Sequence, residues 1–257
     1  MPDDLDDFLL FRAPTAERPL LGLTVLVVED SLYASEAMRL LCLRSGARIR
    51  RADSLRAAYR HLATYRPMVV IVDLSLPDGS GLSLIRELST VSPRIPVILA
   101  ISGDTSATAQ AQRAGANGFL AKPVQSLAAF QTEILRHLPR SRQPNRLRVL
   151  GNETVTPDPI ALRDDLIHVA DLLEVATRDE ASLAYASNFL WGLARAAQDE
   201  ELADAAMRLE LASRNRAGDG DGGDGGGGGG NRADIADIAA VAEILSRRIG
   251  PSRAAFG

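Results

Sequence analysis

Five polar side chains stand where short apolar segments of the chain end: Glu29, Asp30, Asp73, Ser102 and Lys122. The segments before them, such as "TVLVV" and "MVVIV", are continuous and rich in β-branched residues, which favours strands buried on both faces. In an open parallel sheet, ligands bind outside the carboxyl ends of the strands. We therefore expect the five groups to meet at one edge of a sheet.

These residue types suit phosphoryl chemistry. Neighbouring carboxylates repel one another, and a hard divalent cation with oxygen ligands would relieve that repulsion. Lys122 is the only lysine among 29 basic residues, and together with a hydroxyl group it could hold the oxygens of a transferred phosphoryl group. The set indicates attack by an aspartate carboxylate on a phosphoryl donor, assisted by the metal ion.

Strand and helix patterns alternate between Leu21 and Leu138 and would position these groups. Strand-like segments at 24–28, 47–51, 68–72, 96–101 and 118–121 alternate with helical patterns at 31–44, 54–65, 81–91, 105–114 and 124–138. Consecutive βα units of this kind predict a doubly wound α/β domain, with helices on both faces of a parallel sheet.

The motifs "VLVVED", "VDLSLPDGSGLSLI", "PVILAISGD" and "AGANGFLAKPV" resemble the receiver domain of two-component response regulators, over about residues 22–138. This resemblance implies the flavodoxin-like fold, a five-stranded parallel sheet in the order 2-1-3-4-5. It also implies that Asp73 is the phospho-acceptor and that Mg²⁺ is the cofactor. Asp30 would bind the ion directly, Glu29 would bind it through water, and the backbone carbonyl of Ser75 would complete the site.

The same resemblance gives roles to the remaining groups. Ser102 would be the switch hydroxyl, Phe119 the switch aromatic and Lys122 the contact to the phosphoryl group, while Pro77 and Gly81 match the loop after the acceptor. Phosphorylation adds nearly two negative charges, which would bias a two-state element. The expected donor is a histidine kinase or a phosphotransfer protein. The domain would phosphorylate and dephosphorylate only itself, so no enzyme with a separate substrate is expected.

The rest of the chain divides by composition. Residues 1–20 are acidic and then apolar, which predicts a flexible N-terminal arm before the receiver at 21–138. Residues 139–159 are rich in proline and polar residues and predict a linker. From 160 to 257 the pattern is helical only, which predicts an all-α helical bundle with a glycine-rich loop at 218–231.

Within the helical part, "NFLWGLARAAQDEELADAAMRLE" resembles the helix of histidine phosphotransfer domains that carries the phospho-histidine. Asn188 occupies the histidine position and Trp191 a lysine position, and both lie with Arg195 away from the apolar side of the helix. Asparagine cannot carry the phosphoryl group, and tryptophan cannot supply the positive charge. The resemblance therefore implies a degenerate domain that binds a protein partner through these three residues.

Charge differs between the two halves of the chain. Residues 1–150 carry 19 Lys and Arg against 14 Asp and Glu, whereas residues 151–257 carry 10 against 19. The acidic second half is a poor candidate for binding a phosphate backbone, so no nucleic-acid partner is expected. Opposite charges would favour contact between the halves or a homodimer. No apolar run reaches about 18 residues, and the acidic N-terminus is unlike a secretory signal, which predicts a cytoplasmic protein without membrane contact.

Three alternatives remain open. His168, on the first helix of the predicted bundle, could be the histidine of a phosphorelay transferase, although its place near the apolar stripe favours a partly buried or capping histidine. The helical part could be a DNA-binding output, as in most regulators of this kind, but no basic recognition helix supports this. It could also be a plain dimerisation domain.

Overall fold

A computed structural model describes residues 13–144, 152–176, 180–218 and 230–250. The chain divides into two compact units, Met1–Pro157 and Asp158–Gly257. Most of the predicted N-terminal arm therefore lies outside the described residues. No described helix combines the length and the apolar character that a membrane crossing requires.

The first unit is built around a five-stranded parallel sheet. The strands of this unit are β1 (Thr24–Val28), β2 (Arg48–Ala52), β3 (Val69–Asp73), β4 (Ser75–Leu76), β5 (Gly79–Ser80), β6 (Val97–Ser102) and β7 (Gly118–Ala121). The main sheet has the order β2-β1-β3-β6-β7, and β4 and β5 form a separate antiparallel hairpin directly after β3. Counted within the main sheet alone, this is the predicted order 2-1-3-4-5, so the predicted α/β fold is confirmed.

Helices cover both faces of this sheet. The described α-helices of the unit are α1 (Leu32–Ser45), α2 (Leu55–Thr64), α3 (Gly81–Thr90), α4 (Thr108–Ala114) and α5 (Leu127–His137). Met38 of α1 and Phe130 of α5 belong to the core on one face, and Ala58, Leu84 and Ala111 of α2, α3 and α4 to the core on the other. Burial from both sides explains the continuous apolar runs of the central strands, and every residue of β3 is buried.

Serine side chains define where several helices begin after a strand. The hydroxyl groups of Ser31, Ser54 and Ser126 each accept a hydrogen bond from the backbone N–H three residues later. These N–H groups have no partner within the first helical turn, so the serines act as N-caps. The cap of α1 immediately follows Glu29 and Asp30, and it therefore fixes the backbone at the carboxyl end of β1.

The core of the first unit extends beyond the boundaries that the sequence predicts. Leu20, inside the predicted arm, is fully buried, and its N–H donates to the carbonyl of Ser45 at the end of α1. Val155, inside the predicted linker at 139–159, is 1% exposed and belongs to the same core. Val155 is a single apolar residue in polar surroundings, and Leu20 directly follows the polar segment "AERP", so composition alone assigns both to loops.

The described part of the second unit is helical throughout. Its helices are α6 (Pro159–Ala176), α7 (Glu180–Ala197), α8 (Glu200–Gly218) and α9 (Gly230–Ile249). Each helix contacts the next, and α9 also contacts α6. On α7, Leu183, Ala186, Leu190 and Leu193 are buried. Most of the predicted glycine-rich loop at 218–231 lies outside the described residues.

We expect Leu20→Ala to lower the free energy of unfolding of the first unit by about 2–5 kcal/mol, because it leaves a cavity in a closed core. The matched change Leu43→Ala truncates a leucine that is 61% exposed, and its effect should stay below about 0.5 kcal/mol. Urea unfolding, detected by amide hydrogen exchange of the strand segments, measures the free energy of unfolding of both variants. Equally small effects would show that Leu20 belongs to a loose arm.

Candidate functional site

Lys122 joins two carboxylates at the carboxyl edge of the sheet. Its ammonium nitrogen lies 2.7 Å from Asp73 Oδ2 and 2.9 Å from Glu29 Oε1. Asp73 ends β3, Glu29 follows β1 and Lys122 follows β7, so three strands supply the three groups. All three side chains are buried. A buried charge without a partner costs several kcal/mol, so each of these groups depends on the others.

Glu29, Asp30 and Asp73 form an acidic cluster beside this lysine. One carboxylate oxygen of each residue lies within 4.8 Å of the others. Glu29 Oε2 lies 2.8 Å from the ammonium nitrogen, but no described group gives it a directed hydrogen bond. Carboxylate oxygens at this spacing are typical ligands of a hard cation such as Mg²⁺. Since Lys122 balances only one of the three carboxylates, the donor set fits a divalent cation.

Burial governs the protonation of the central pair. Burial raises the pKa of Glu29 well above its usual value, and the charge of Lys122 offsets only part of that rise. Burial would lower the pKa of Lys122, but the charges of Asp73 and Glu29 outweigh it, and the pKa of the lysine is raised. Lys122 is therefore a cation at neutral pH, and the site contains a fixed positive charge.

The chain after Asp73 turns through the β4–β5 hairpin in close contact with the acceptor backbone. The N–H of Ser75 donates to Asp73 Oδ1 at 3.3 Å. The N–H of Gly81 donates to the carbonyl of Leu74 at 3.0 Å. A Cβ atom at position 81 would overlap the carbonyl oxygen of Asp73. Glycine is required there because no side chain fits beside the backbone of the candidate acceptor.

Asp78 holds this hairpin against α2, a role that the sequence did not predict. Its Oδ1 accepts from the N–H of Leu55 at 2.8 Å, and its Oδ2 accepts from the N–H of Arg56 at 2.9 Å. Both donors belong to the first helical turn, where the helix dipole also favours a carboxylate. The hairpin that contains Ser75 is thereby fixed. The turn motif "PDG" was the available signal, but it does not identify a partner so far away in sequence.

Ser102 lies on β6, the strand next to that of Asp73, and Phe119 lies on β7, one strand further. The hydroxyl of Ser102 accepts from the N–H of Asp104 at 3.1 Å, and its carbonyl accepts from the N–H of Lys122 at 2.9 Å. Phe119 is half-buried and packs against the core on the face of α2, α3 and α4. The backbone carbonyl of Ser102 therefore positions Lys122, while the hydroxyl of Ser102 is hydrogen-bonded to the loop after β6. The switch roles of Ser102 and Phe119 stay predictions.

The arrangement of the site agrees with a comparison of the chain with known families. Residues 25–132 match the family model of the response regulator receiver domain. This part of the chain is a receiver domain. The match ends within α5, so it covers no part of the second unit.

Relatives of the receiver domain include two bacterial regulators. The KDP operon transcriptional regulatory protein KdpE of Escherichia coli K12 is 29% identical over 145 residues, which are 55% of this chain and 58% of KdpE. The virulence transcriptional regulatory protein PhoP of Salmonella typhimurium is 31% identical over 115 residues, 44% of this chain and 51% of PhoP. The chain thus spans little more than half the length of these relatives.

Solved receiver structures are also similar to this domain. One is the receiver domain of the sensor histidine kinase PA1611 of Pseudomonas aeruginosa PAO1, with a magnesium ion coordinated in its active site cleft. It is 25% identical, with a TM-score of 0.41, and the match covers 45% of this chain and 96% of that one.

The predicted interaction residues of the second unit lie on an accessible side of α7. Asn188 and Arg195 are exposed, and Trp191 is half-buried. The guanidinium carbon of Arg195 lies 5.9 Å from the centre of the Trp191 ring, a cation–π arrangement. His168 on α6 is exposed, with its ring 5.4 Å from that of Phe189. The expectation of a partly buried His168 is therefore wrong, because it packs edge-on against Phe189 from the solvent side.

We expect Asp78→Asn to lower the free energy of unfolding by about 0.5–2 kcal/mol, because a helix cap loses one of its two acceptor oxygens. Asp53→Asn is the matched control, since it removes an exposed carboxylate at the same helix end. Urea unfolding of both variants gives the comparison. Equal losses would mean that the charge near α2, and not the two hydrogen bonds, stabilises this end.

The stability of the Asp78 variant should also depend less on pH. Burial raises the pKa of Asp78, but hydrogen bonds from the N–H groups of Arg56 and Leu55 lower it more, so the pKa of this carboxyl is below its ordinary value. A carboxyl group with a lowered pKa stabilises the fold above its unfolded-state pKa, and this contribution is lost as pH falls through the folded-state value. Unfolding between about pH 2 and 6 should therefore show a shallower acid decline for Asp78→Asn than for wild type. Parallel curves would contradict this.

Proposed function

We propose that this chain is a phosphorylation-controlled response regulator of a two-component system, with Asp73 as the phospho-acceptor. The observation that carries the proposal is the buried contact of the Lys122 ammonium with Asp73 and Glu29, beside the acidic cluster of a receiver domain. A histidine kinase or a phosphotransfer protein would donate the phosphoryl group.

The reaction would begin with attack of an Asp73 carboxylate oxygen on the phosphorus atom of the donor. An oxygen–phosphorus bond forms while the bond between phosphorus and the donor atom breaks, and the donor leaves with that electron pair. Lys122, already at Asp73, would balance the charge of the phosphoryl oxygens. The hydroxyl of Ser102 would turn from its loop towards them. Water would later hydrolyse the acyl phosphate, so the receiver acts on itself and on no separate substrate.

The acidic cluster would hold Mg²⁺ during this reaction. Glu29, Asp30 and Asp73 offer the carboxylate oxygens, and the carbonyl of Ser75 lies in the hairpin that Asp78 fixes. The ion would neutralise charge on the phosphoryl oxygens. Lys122 cannot do this alone, because it already contacts the carboxylates of Glu29 and Asp73.

The second unit would be the output of the switch. Asn188, Trp191 and Arg195 would form a protein-binding surface on a degenerate phosphotransfer module, and Asp73 would control its contacts. A half-buried tryptophan beside an accessible arginine is the composition that dominates binding energy at protein interfaces. The partner is a protein of another kind, and a second copy of this chain is the alternative partner.

We expect acetyl phosphate with Mg²⁺ to add one phosphoryl group to wild type and none to Asp73→Asn. Chelation of Mg²⁺ should stop the reaction, and Lys122→Ala should slow it by about 10²–10³, because a pre-positioned charge is lost. Asp171→Asn, which removes an exposed carboxylate of the second unit, is the matched control and should react as wild type. Intact-mass spectrometry measures each rate. Equal modification of wild type and Asp73→Asn would refute the acceptor assignment.

For the output surface, we expect Trp191→Ala to weaken partner binding by at least about 30-fold, the size of an interface hot spot. Leu211→Ala is the matched control, because Leu211 on α8 is a 60% exposed apolar side chain outside the surface. Capture with phosphorylated wild type and with Asp73→Asn identifies the partner, and titration measures affinity. Identical partners and affinities for phosphorylated wild type and Asp73→Asn would contradict control of the output by Asp73. A change in self-association alone would indicate a dimerisation domain.

Two other functions have an observation in their favour. KdpE and PhoP are named as transcriptional regulators, which favours DNA binding as the second candidate. Sequence-dependent, salt-sensitive mobility shifts would support it and replace the protein-binding proposal. The exposure of His168 favours a phosphorelay role. Acid-labile phosphate that is present in wild type and lost in His168→Gln would support that role.

A further inference from the structure

Residues 152–157, called the strap below, are hydrogen-bonded to the connection between β7 and α5. The N–H of Leu127 donates to the carbonyl of Glu153 at 3.0 Å, and the N–H of Val155 donates to the carbonyl of Gln125 at 2.9 Å. An antiparallel β-bridge lies between these two bonds. The first of them also satisfies an N–H at the start of α5, which lacks a partner within its own helix.

Two further contacts hold the strap on the first unit. Val155 is 1% exposed and shares a core with Leu127. Arg44, in the last turn of α1, donates from Nη1 to the carbonyl of Thr154 at 2.9 Å. The strap therefore lies between α1 and the β7–α5 connection, with Val155 buried in the core and polar contacts on both sides.

The connection that binds the strap also carries the lysine of the candidate site. Pro123 and Val124 alone separate Lys122 from Gln125. Val124 is buried in the same core as Leu127 and Val155. Because a close-packed core transmits displacement rather than absorbing it, a shift of the lysine backbone reaches the contacts of the strap.

The other end of the strap leads directly into the second unit. Asp158 alone separates Pro157 from the first residue of α6. The strap is thus hydrogen-bonded to the part of the receiver that contacts Asp73, and it continues along the chain into the helices that carry Trp191.

We propose that the strap is a phosphorylation-controlled element, seated on the first unit while Lys122 contacts Asp73 and released when Asp73 is phosphorylated. This inference rests on the proposed acceptor role of Asp73. A phosphoryl group adds nearly two negative charges between carboxylate and ammonium. The lysine must give up its 2.7 Å contact with Asp73 Oδ2 and follow the new oxygens. The backbone up to Leu127 then shifts, and the strap hydrogen bonds weaken.

Amide hydrogen exchange of the full chain, with and without acetyl phosphate and Mg²⁺, tests this inference. The amides of Val155 and Leu127 report directly, because each donates a bond between strap and receiver. We expect their exchange to rise by about tenfold on phosphorylation, the equivalent of one lost hydrogen bond. Intact-mass spectrometry of the same samples measures the phosphoryl content.

Two variants distinguish a loss of the strap's own contacts from a general destabilisation of the first unit. Arg44→Gln should raise exchange of the strap without phosphorylation, because it removes the donor to Thr154. Arg113→Gln, in the last turn of α4 on the other face of the sheet, is the matched control and should leave the strap unchanged.

The outcomes distinguish this inference from the function on which it rests. Full phosphorylation with unchanged exchange of Val155 and Leu127 overturns the inference and leaves the acceptor assignment in place. A rise in the hydrogen exchange of Val155 and Leu127 that also occurs in Asp73→Asn overturns the inference too, because acetyl phosphate would then act at a site other than Asp73. A wild-type chain that takes up no phosphoryl group overturns both.

Discussion

One buried cation determines the state of the whole carboxyl edge of the sheet. Lys122 contacts Asp73 and Glu29 at a place where all three side chains are buried. Taking such charges out of water costs several kcal/mol each, so the carboxylates can be ionised there only in contact with a cation. Even so, burial keeps the pKa of Glu29 raised. The edge is therefore held together by the lysine and still lacks positive charge, which a divalent cation would supply.

The order of the strands explains why the positive charge next to Asp73 comes from a lysine. β7 lies two strands from β3, a separation of about 10 Å at the usual strand spacing. A side chain from β7 must be long to reach Asp73, and lysine has that length. The strand between them, β6, fixes where the side chain starts, because the carbonyl of Ser102 accepts from the N–H of Lys122. Sheet order and backbone pairing thus position the backbone of Lys122, and its long side chain then reaches Asp73.

The sheet and its polar edge could be predicted because both are local patterns. β1, β3 and β6 are apolar runs with a polar residue at or directly after the carboxyl end, and the parallel sheet brings those ends together. Leu20 and Val155 could not be placed, because Val155 stands alone among polar residues and Leu20 lies before the first strand pattern, so neither belongs to a periodic segment. Asp78 could not be assigned either, since it caps residues 22 and 23 positions earlier. His168 was misjudged because its exposure depends on the neighbouring helix, not on its own.

In the proposed phosphotransfer-like role of α7, Asn188 would occupy the position of the phospho-acceptor. The Asn188 amide has its nitrogen lone pair delocalised into the carbonyl, so it cannot take over a phosphoryl group as an imidazole does. A phosphoryl group on Asp73 would then have water as its acceptor, and the signal would have to leave the receiver as a change of contacts. Such a change needs a physical connection from Lys122 to α6. The strap provides one, because its hydrogen bonds begin three residues after the lysine and its last residue lies one residue before the helix unit.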